Sequence, residues 1–171
     1  YGKTKVKLAS ELDYHKKEEK IKHYEPPKKE CLLVDGYNVI HAWPELKDLA
    51  KDNLDAARVR LIDILASYQG FKKCELILVF DAYKVKGNKG SMQKYHDMYI
   101  VYTKESQTAD MYIERTTHQL SKDFQIIVAT SDALEQIIIL GNGGRRISSR
   151  ELRLEVEHIK NEQMNEYERK R

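Results

Sequence analysis

The sequence predicts an α/β fold, a three-layer sandwich whose mainly parallel central sheet is covered by helices on both faces. Three observations predict it. Short continuous apolar blocks at 31–34 (CLLV), 75–80 (ELILVF) and 125–129 (QIIVA) have the form of strands buried on both faces. Amphipathic helical stretches alternate with them. Each block also runs into an aspartate: Asp35, Asp81 and, after Thr130-Ser131, Asp132.

Taken in order, residues 1–30 hold nine lysines against six acids and close on Tyr24-Glu25-Pro26-Pro27-Lys28-Lys29. The Pro-Pro pair disfavours helix before it and stiffens an extended link. These residues read as a Lys-rich linker or tail of an upstream domain, with a helical turn around 12–21. A domain is expected over 31–157. Its first strand, 31–34, turns at Asp35-Gly36, and Trp43 and Pro44 fall in the following loop, Trp43 favoured as core. Leu54, Ala57, Leu61, Leu65 and Tyr68 recur at helical spacing, with Asp52 or Asn53 as N-cap and Gly70 as the stop. After the second strand, Lys84, Lys86 and Lys89 with Gly87 and Gly90 make a flexible basic loop. A fourth strand is expected at 98–102 (MYIVY). Residues 108–120 place Ala109, Tyr112, Ile113, Thr116 and Leu120 on one helical face. A short apolar helix at 133–140 is stopped by Gly141-Asn142-Gly143-Gly144, and Ser148-Ser149-Arg150-Glu151 is a capping-box pattern. It opens a charged helix whose last part, 158–171, reads as an extension beyond the domain.

Of 171 residues, 41% are apolar and 33% charged, with 8 Gly and 3 Pro, which excludes a disordered or collagen-like chain. No apolar run approaches the ~18 residues of a membrane-spanning helix, so no membrane role is expected. Cys31 and Cys74 lack metal-ligand spacing and read as reduced, buried thiols of a cytoplasmic protein. The net charge of +3 sits wholly in residues 1–30, because 21 basic and 21 acidic side chains cancel over the rest. Nucleic-acid binding must therefore be argued from local patches.

Parallel strands bring their carboxyl ends to one edge, where α/β ligands bind. Asp35, Asp81 and Asp132 should converge there. Asp110 opens the helix after the fourth strand, Glu114 lies one turn further on, and Asn38 offers an amide oxygen. A single aspartate after a strand is most often a cap or turn former, yet three together with a fourth at a helix start repel one another by about 4 kcal/mol per pair at ~4 Å and an effective dielectric of about 20. A divalent cation is the simplest compensator. An oxygen-only donor set selects Mg²⁺ or Mn²⁺, ions suited to phosphodiester hydrolysis.

The stretches Leu33-Val34-Asp35-Gly36-Tyr37-Asn38-Val39-Ile40, Asp55-Ala56-Ala57-Arg58, Val79-Phe80-Asp81-Ala82, Thr108-Ala109-Asp110-Met111 and Ala129-Thr130-Ser131-Asp132 resemble, in this order, the YacP-like branch of the NYN domains. The resemblance runs from about 31 to 157. It implies a PIN-like (NYN) fold and a Mg²⁺- or Mn²⁺-dependent endoribonuclease in which Asp35, Asp81, Asp110 and Asp132 are catalytic, metal-binding acids. Asn38, Glu114 and Ser131 would support them, and Arg58 would meet either the acids or a substrate phosphate. The family includes a bacterial endoribonuclease that cuts mRNA in the ribosomal A site, and similar domains follow translation GTPases resembling elongation factor G and the ribosomal protection proteins. RNA and the ribosome are thus the implied partners. The Lys-rich start, without an initiator Met, fits a fusion to such an N-terminal GTPase.

Lys84, Lys86 and Lys89, then Tyr95 and His96, are candidates to contact single-stranded RNA by phosphate pairing and stacking. Arg145 and Arg146 make a second basic pair, although nearby glutamates offer ordinary helical pairing. The rival reading is a ribosome- or RNA-docking module with weak or no nuclease activity. A nucleotide-binding or phosphatase domain is disfavoured, since the glycines of 141–144 fall too late for a phosphate fingerprint and Asp35 is followed by Gly36-Tyr37, without the Asp-x-Asp of an aspartyl-phosphate enzyme.

Overall fold

The computed structural model describes residues 26–82, 86–132, 141 and 143–171. Among them, β1 (Lys29–Asp35) leads through α1 (Gly36–Ala42), α2 (Pro44–Asp52) and α3 (Leu54–Lys72) to β2 (Glu75–Phe80). The strands β3 (Ser91–Tyr95) and β4 (Met98–Tyr102), helix α4 (Ala109–Leu120), strands β5 (Phe124–Ala129) and β6 (Arg145–Ile147), and helix α5 (Ser149–Arg169) follow. The described strands form one sheet in the order β3-β4-β2-β1-β5-β6. All neighbours are parallel except the antiparallel pair β3 and β4. The expected α/β sandwich is therefore the fold. The expected helix at 133–140, the turn at 12–21 and Lys84 lie outside the described residues.

Strand parity builds the layers. Leu32, Val34, Leu76, Leu78, Phe80, Ile127 and Ala129 pack on α1, α2, α3 and α5 through Ile40, Leu46, Leu61, Leu65 and Leu152. The alternate residues Cys31, Leu33, Val79, Ile126 and Val128 pack on Ala109 and Ile113 of α4. Continuous apolar strands are what a sheet covered on both faces requires.

Three details differ from expectation, each for a physical reason. The chain after Asn38 is helical, and Trp43, 1% exposed, sits at the joint of α1 and α2 with its indole Nε1 donating to the Ser149 carbonyl at 2.8 Å. Of the two expected N-caps of α3, Asn53 is the one used, accepting from the Ala56 N–H at 3.1 Å. Gly70 does not stop that helix: buried Tyr68 and Gln69 hold its last turns, Gln69 Nε2 donating to the Cys74 carbonyl at 3.1 Å, and the chain turns at Lys73 with φ of 58°. This tertiary packing outweighs the cost of about 1 kcal/mol for a helical glycine. Finally, residues 91–95 form a strand although all five are exposed, because pairing with β4 satisfies backbone groups that no apolar pattern announces. In the last helix, both halves of the Ser148–Glu151 capping box are present, and the helix crosses position 157 without a break.

Gly36 opens α1 directly under β2. An added Cβ would lie 2.5 Å from the Phe80 ring and 3.0 Å from the Val79 carbonyl. Gly36→Ala should therefore destabilise the fold by about 1–3 kcal/mol, read as a lower urea midpoint. Both thiols are buried, and burial pushes Cys31 up to about 12 and raises Cys74. A thiol held neutral in the fold contributes stability that is full below its ordinary value near 9 and is lost progressively as pH rises from there toward the raised folded value. Native protein at pH 8 should leave both thiols unreacted with a disulfide reagent until denaturant is added, and its unfolding free energy should fall between pH 9 and 11.

Candidate active site

The register of the sheet decides what stands at its carboxyl edge. Asp35 ends β1 level with Val79, so Asp81 lies two residues further along the neighbouring strand, with the two backbones about 8 Å apart. On the other side Val34 is level with Ala129, which places Thr130 beside Asp35 and Asp132 two residues further. Asp35 continues the parity of Cys31 and Leu33, the side covered by α4. That helix is tied to the same corner, since the N–H of its first residue, Ala109, donates to Asp81 Oδ2 at 3.5 Å. Asp110 is the next residue. All four aspartates are half-buried.

Helix ends compensate these charges. Asp35 is the N-cap of α1, its Oδ1 accepting the Asn38 N–H at 3.5 Å. Asp81 accepts at the start of α4 and Asp110 lies in its first turn, capped by Thr108. Negative charge at such termini is worth about 0.3–1 kcal/mol each. Arg146, half-buried on β6, adds a cation beside this edge: its Nε donates to the Thr130 carbonyl at 3.2 Å. Thr103, 1% exposed at the end of β4, accepts the Ala82 N–H at 2.8 Å through Oγ1 and donates its own N–H to the Phe80 carbonyl at 3.0 Å. The backbone on both sides of Asp81 is thereby held.

Asn38 joins the strand ends. Its Oδ1 accepts the Ser131 N–H at 2.9 Å and the Ser149 hydroxyl at 2.7 Å. Ser131 therefore stands beside Asn38, while Asp132 N donates to Thr130 Oγ1 at 3.1 Å in a local turn. Ser149, Thr103 and Thr130 escape a reading of the sequence. Ser149 is hidden inside a capping motif that explains its neighbour Ser148, and the two threonines look like ordinary strand-end residues.

Other candidates are placed elsewhere. Glu114 is exposed, one turn along α4 from Asp110. Arg58 donates through Nη1 to the Tyr37 hydroxyl at 2.8 Å and pairs with Asp55, and Tyr37 packs on Phe80 with ring centroids 5.2 Å apart. Arg58 thus buttresses α1 through Tyr37. Lys86 and Lys89 are exposed beyond β2 on a loop pinned to the edge: the Gly87 N–H donates to Glu105 Oε2 at 2.9 Å, and Asn88 Nδ2 to the Thr103 carbonyl at 2.9 Å. Tyr95 and His96 are not beside the acids. The antiparallel β3 carries them to the amino edge, about 15 Å along the sheet, where the Tyr95 hydroxyl donates to Asp63 at 3.0 Å and its ring meets His96 edge-on. Arg145 and Arg146 do not form one patch either, because Arg145 is level with Ile127 and Arg146 with Val128, on opposite faces.

Among the described residues no three His, Cys, Asp or Glu side chains are gathered into a ready-made metal cage. The donors along the edge are carboxylate oxygens, which fit Mg²⁺ or Mn²⁺ in the way Mg²⁺ is ordinarily held, through one or two carboxylates with water and substrate phosphate completing the shell.

A family model for the YacP-like NYN domain matches residues 32–171. The chain is 47% identical over 131 residues to the uncharacterized protein YacP of Bacillus subtilis (strain 168), with 76% of each chain covered. A crystal structure of Rae1 (YacP) from Bacillus subtilis matches with a TM-score of 0.69 at 44% identity, over 81% of this chain and 80% of that one. A tryptophan-to-leucine variant of the same protein matches with a TM-score of 0.68 at 43% identity, over 78% of each.

Thr103→Val keeps the shape at the end of β4 but leaves the Ala82 N–H beside Asp81 without its acceptor. It should cost about 1–3 kcal/mol in denaturant unfolding, and Thr103→Ser should recover most of that loss.

Proposed function

The chain belongs to the family of YacP-like NYN domains, a PIN-like nuclease fold, and from that membership we propose that it is a metal-dependent endoribonuclease. The observation that carries the reading is the carboxyl edge, where Asp35 and Asp81 end adjacent parallel strands and Asp81 bonds the first N–H of the helix bearing Asp110. In this reading Asp35, Asp81, Asp110 and Asp132 hold Mg²⁺ or Mn²⁺, which when bound supplies an activated water and Lewis acidity at the phosphodiester. The helix N-termini at Asp35 and Asp81 hold these two carboxylates along one edge. Arg146 offsets their charge, and Lys86 and Lys89 meet the phosphate backbone of single-stranded RNA. Hydrolysis by this route leaves 5′-phosphate and 3′-hydroxyl ends. We further place the reaction on mRNA at the ribosome, in the cytoplasm, with residues 1–30 as a link to a preceding translation GTPase. The family resemblance and the Lys-rich start support that setting.

A second reading is favoured by the lack of three gathered metal-ligating side chains among the described residues: a docking module for RNA or the ribosome with little catalysis. One experiment separates the two. Cleavage of 5′-labelled single-stranded RNA is measured for wild type and Asp81→Asn with Mn²⁺, Mg²⁺ or EDTA, with and without translating ribosomes. The nuclease reading expects metal-dependent cleavage and a loss of about 100-fold or more in Asp81→Asn, which is about 2.7 kcal/mol of barrier. Wild type and variant that are equally inert yet bind RNA or ribosomes would establish the docking module instead.

A further inference from the structure

Ser149 is completely buried at the start of α5, although the cap of that helix is Ser148, which accepts the Glu151 N–H at 3.0 Å. Its hydroxyl is therefore not needed to begin the helix. Each of its polar groups instead serves a different segment. The carbonyl accepts the Trp43 indole N–H at 2.8 Å, the backbone N–H donates to Ser131 Oγ at 3.3 Å, and the hydroxyl donates to Asn38 Oδ1 at 2.7 Å. Because Asn38 Oδ1 also accepts the Ser131 N–H at 2.9 Å, Asn38, Ser131 and Ser149 close a ring of three bonds. Asn38 lies three residues after Asp35, and Ser131 immediately precedes Asp132.

We propose that Ser149 is a positioning residue for the nuclease reaction, clasping the turn that carries Asp132 against the helix capped by Asp35; this rests on the nuclease reading above. The link is to geometry rather than to folding. A carbonyl oxygen with two donors at 2.7 and 2.9 Å has both lone pairs engaged and a fixed orientation. Removing the hydroxyl leaves one donor and lets the Asn38 amide pivot, so the Ser131 N–H loses a fixed acceptor and Asp132 its fixed distance from Asp35. Misplacement of a supporting group lowers rate more than affinity when substrate is held by other contacts.

The test compares Ser149→Ala with Ser148→Ala, which removes the adjacent helix cap and leaves the ring intact. For Ser149→Ala the expected result is a kcat lowered about 10-fold with KM within about twofold, and amide exchange at Ser131 faster by about 10-fold or more at unchanged global protection. Ser148→Ala should lower Tm by about 3–5 °C while leaving kcat and Ser131 exchange as in wild type. The proposal is overturned if Ser149→Ala cleaves RNA at the wild-type rate, or if its loss merely tracks reduced stability as in Ser148→Ala. If wild type cleaves no RNA under any condition, the nuclease reading fails by itself. Ser131 exchange then decides the clasp, with wild-type protection in Ser149→Ala overturning it.

Discussion

Parallel pairing of β1 with both β2 and β5 is the constraint on which the rest of the molecule depends. A central strand hydrogen-bonded on both sides in one direction must release its neighbours at the same edge. It must also receive its connections as helices laid across the sheet, since a parallel crossover cannot be made by a tight turn. Both consequences are visible. Three carboxylate-bearing strand ends share one edge, and the two faces of β1 feed separate apolar layers through alternate residues.

That edge gathers negative charge, and the fold offsets it with backbone dipoles. Asp35 caps α1, and Asp81 accepts from the first residue of α4, whose second residue is Asp110. Repulsion of about 4 kcal/mol for a close pair exceeds the 0.3–1 kcal/mol of each helix terminus. The helix ends therefore orient Asp35 and Asp81, and Arg146 adds a cation beside this edge. The oxygens of Asp35 and Asp81 serve at once as helix caps and as part of the negative surface of this edge.

The two layers differ in what they contribute. On one side α1, α2, α3 and α5 interlock through Trp43, whose ring is core and whose indole N–H fixes the start of α5. On the other, α4 is joined to the sheet by an apolar cluster that is smaller among the described residues, and by its N-terminal bond to Asp81. The ring of Asn38, Ser131 and Ser149 ties α1 and the start of α5 to the acidic edge. Arg58 does the same for α1 by way of Tyr37 and the Phe80 ring.

Much of this was legible in the chain because the signals are local. Buried parallel strands need unbroken apolar runs, caps need Asn53, Thr108 and Ser148, and a strand end followed by aspartate announces itself at Asp35 and Asp81. By itself the sequence therefore determined the fold class, four of the six described strands, the helices α3, α4 and α5, and the acids of the carboxyl edge. Tertiary structure decided the remainder, for reasons no local pattern carries. An exposed strand exists only because β4 has a free edge, and its antiparallel course moves Tyr95 and His96 to the far end of the sheet. Pleat parity sends Arg145 and Arg146 to opposite faces, and Ser149 acquires its partners from residues 18 and 111 positions away. Hydrogen bonds over such separations are set by packing geometry, which is known only once the layers have closed on one another.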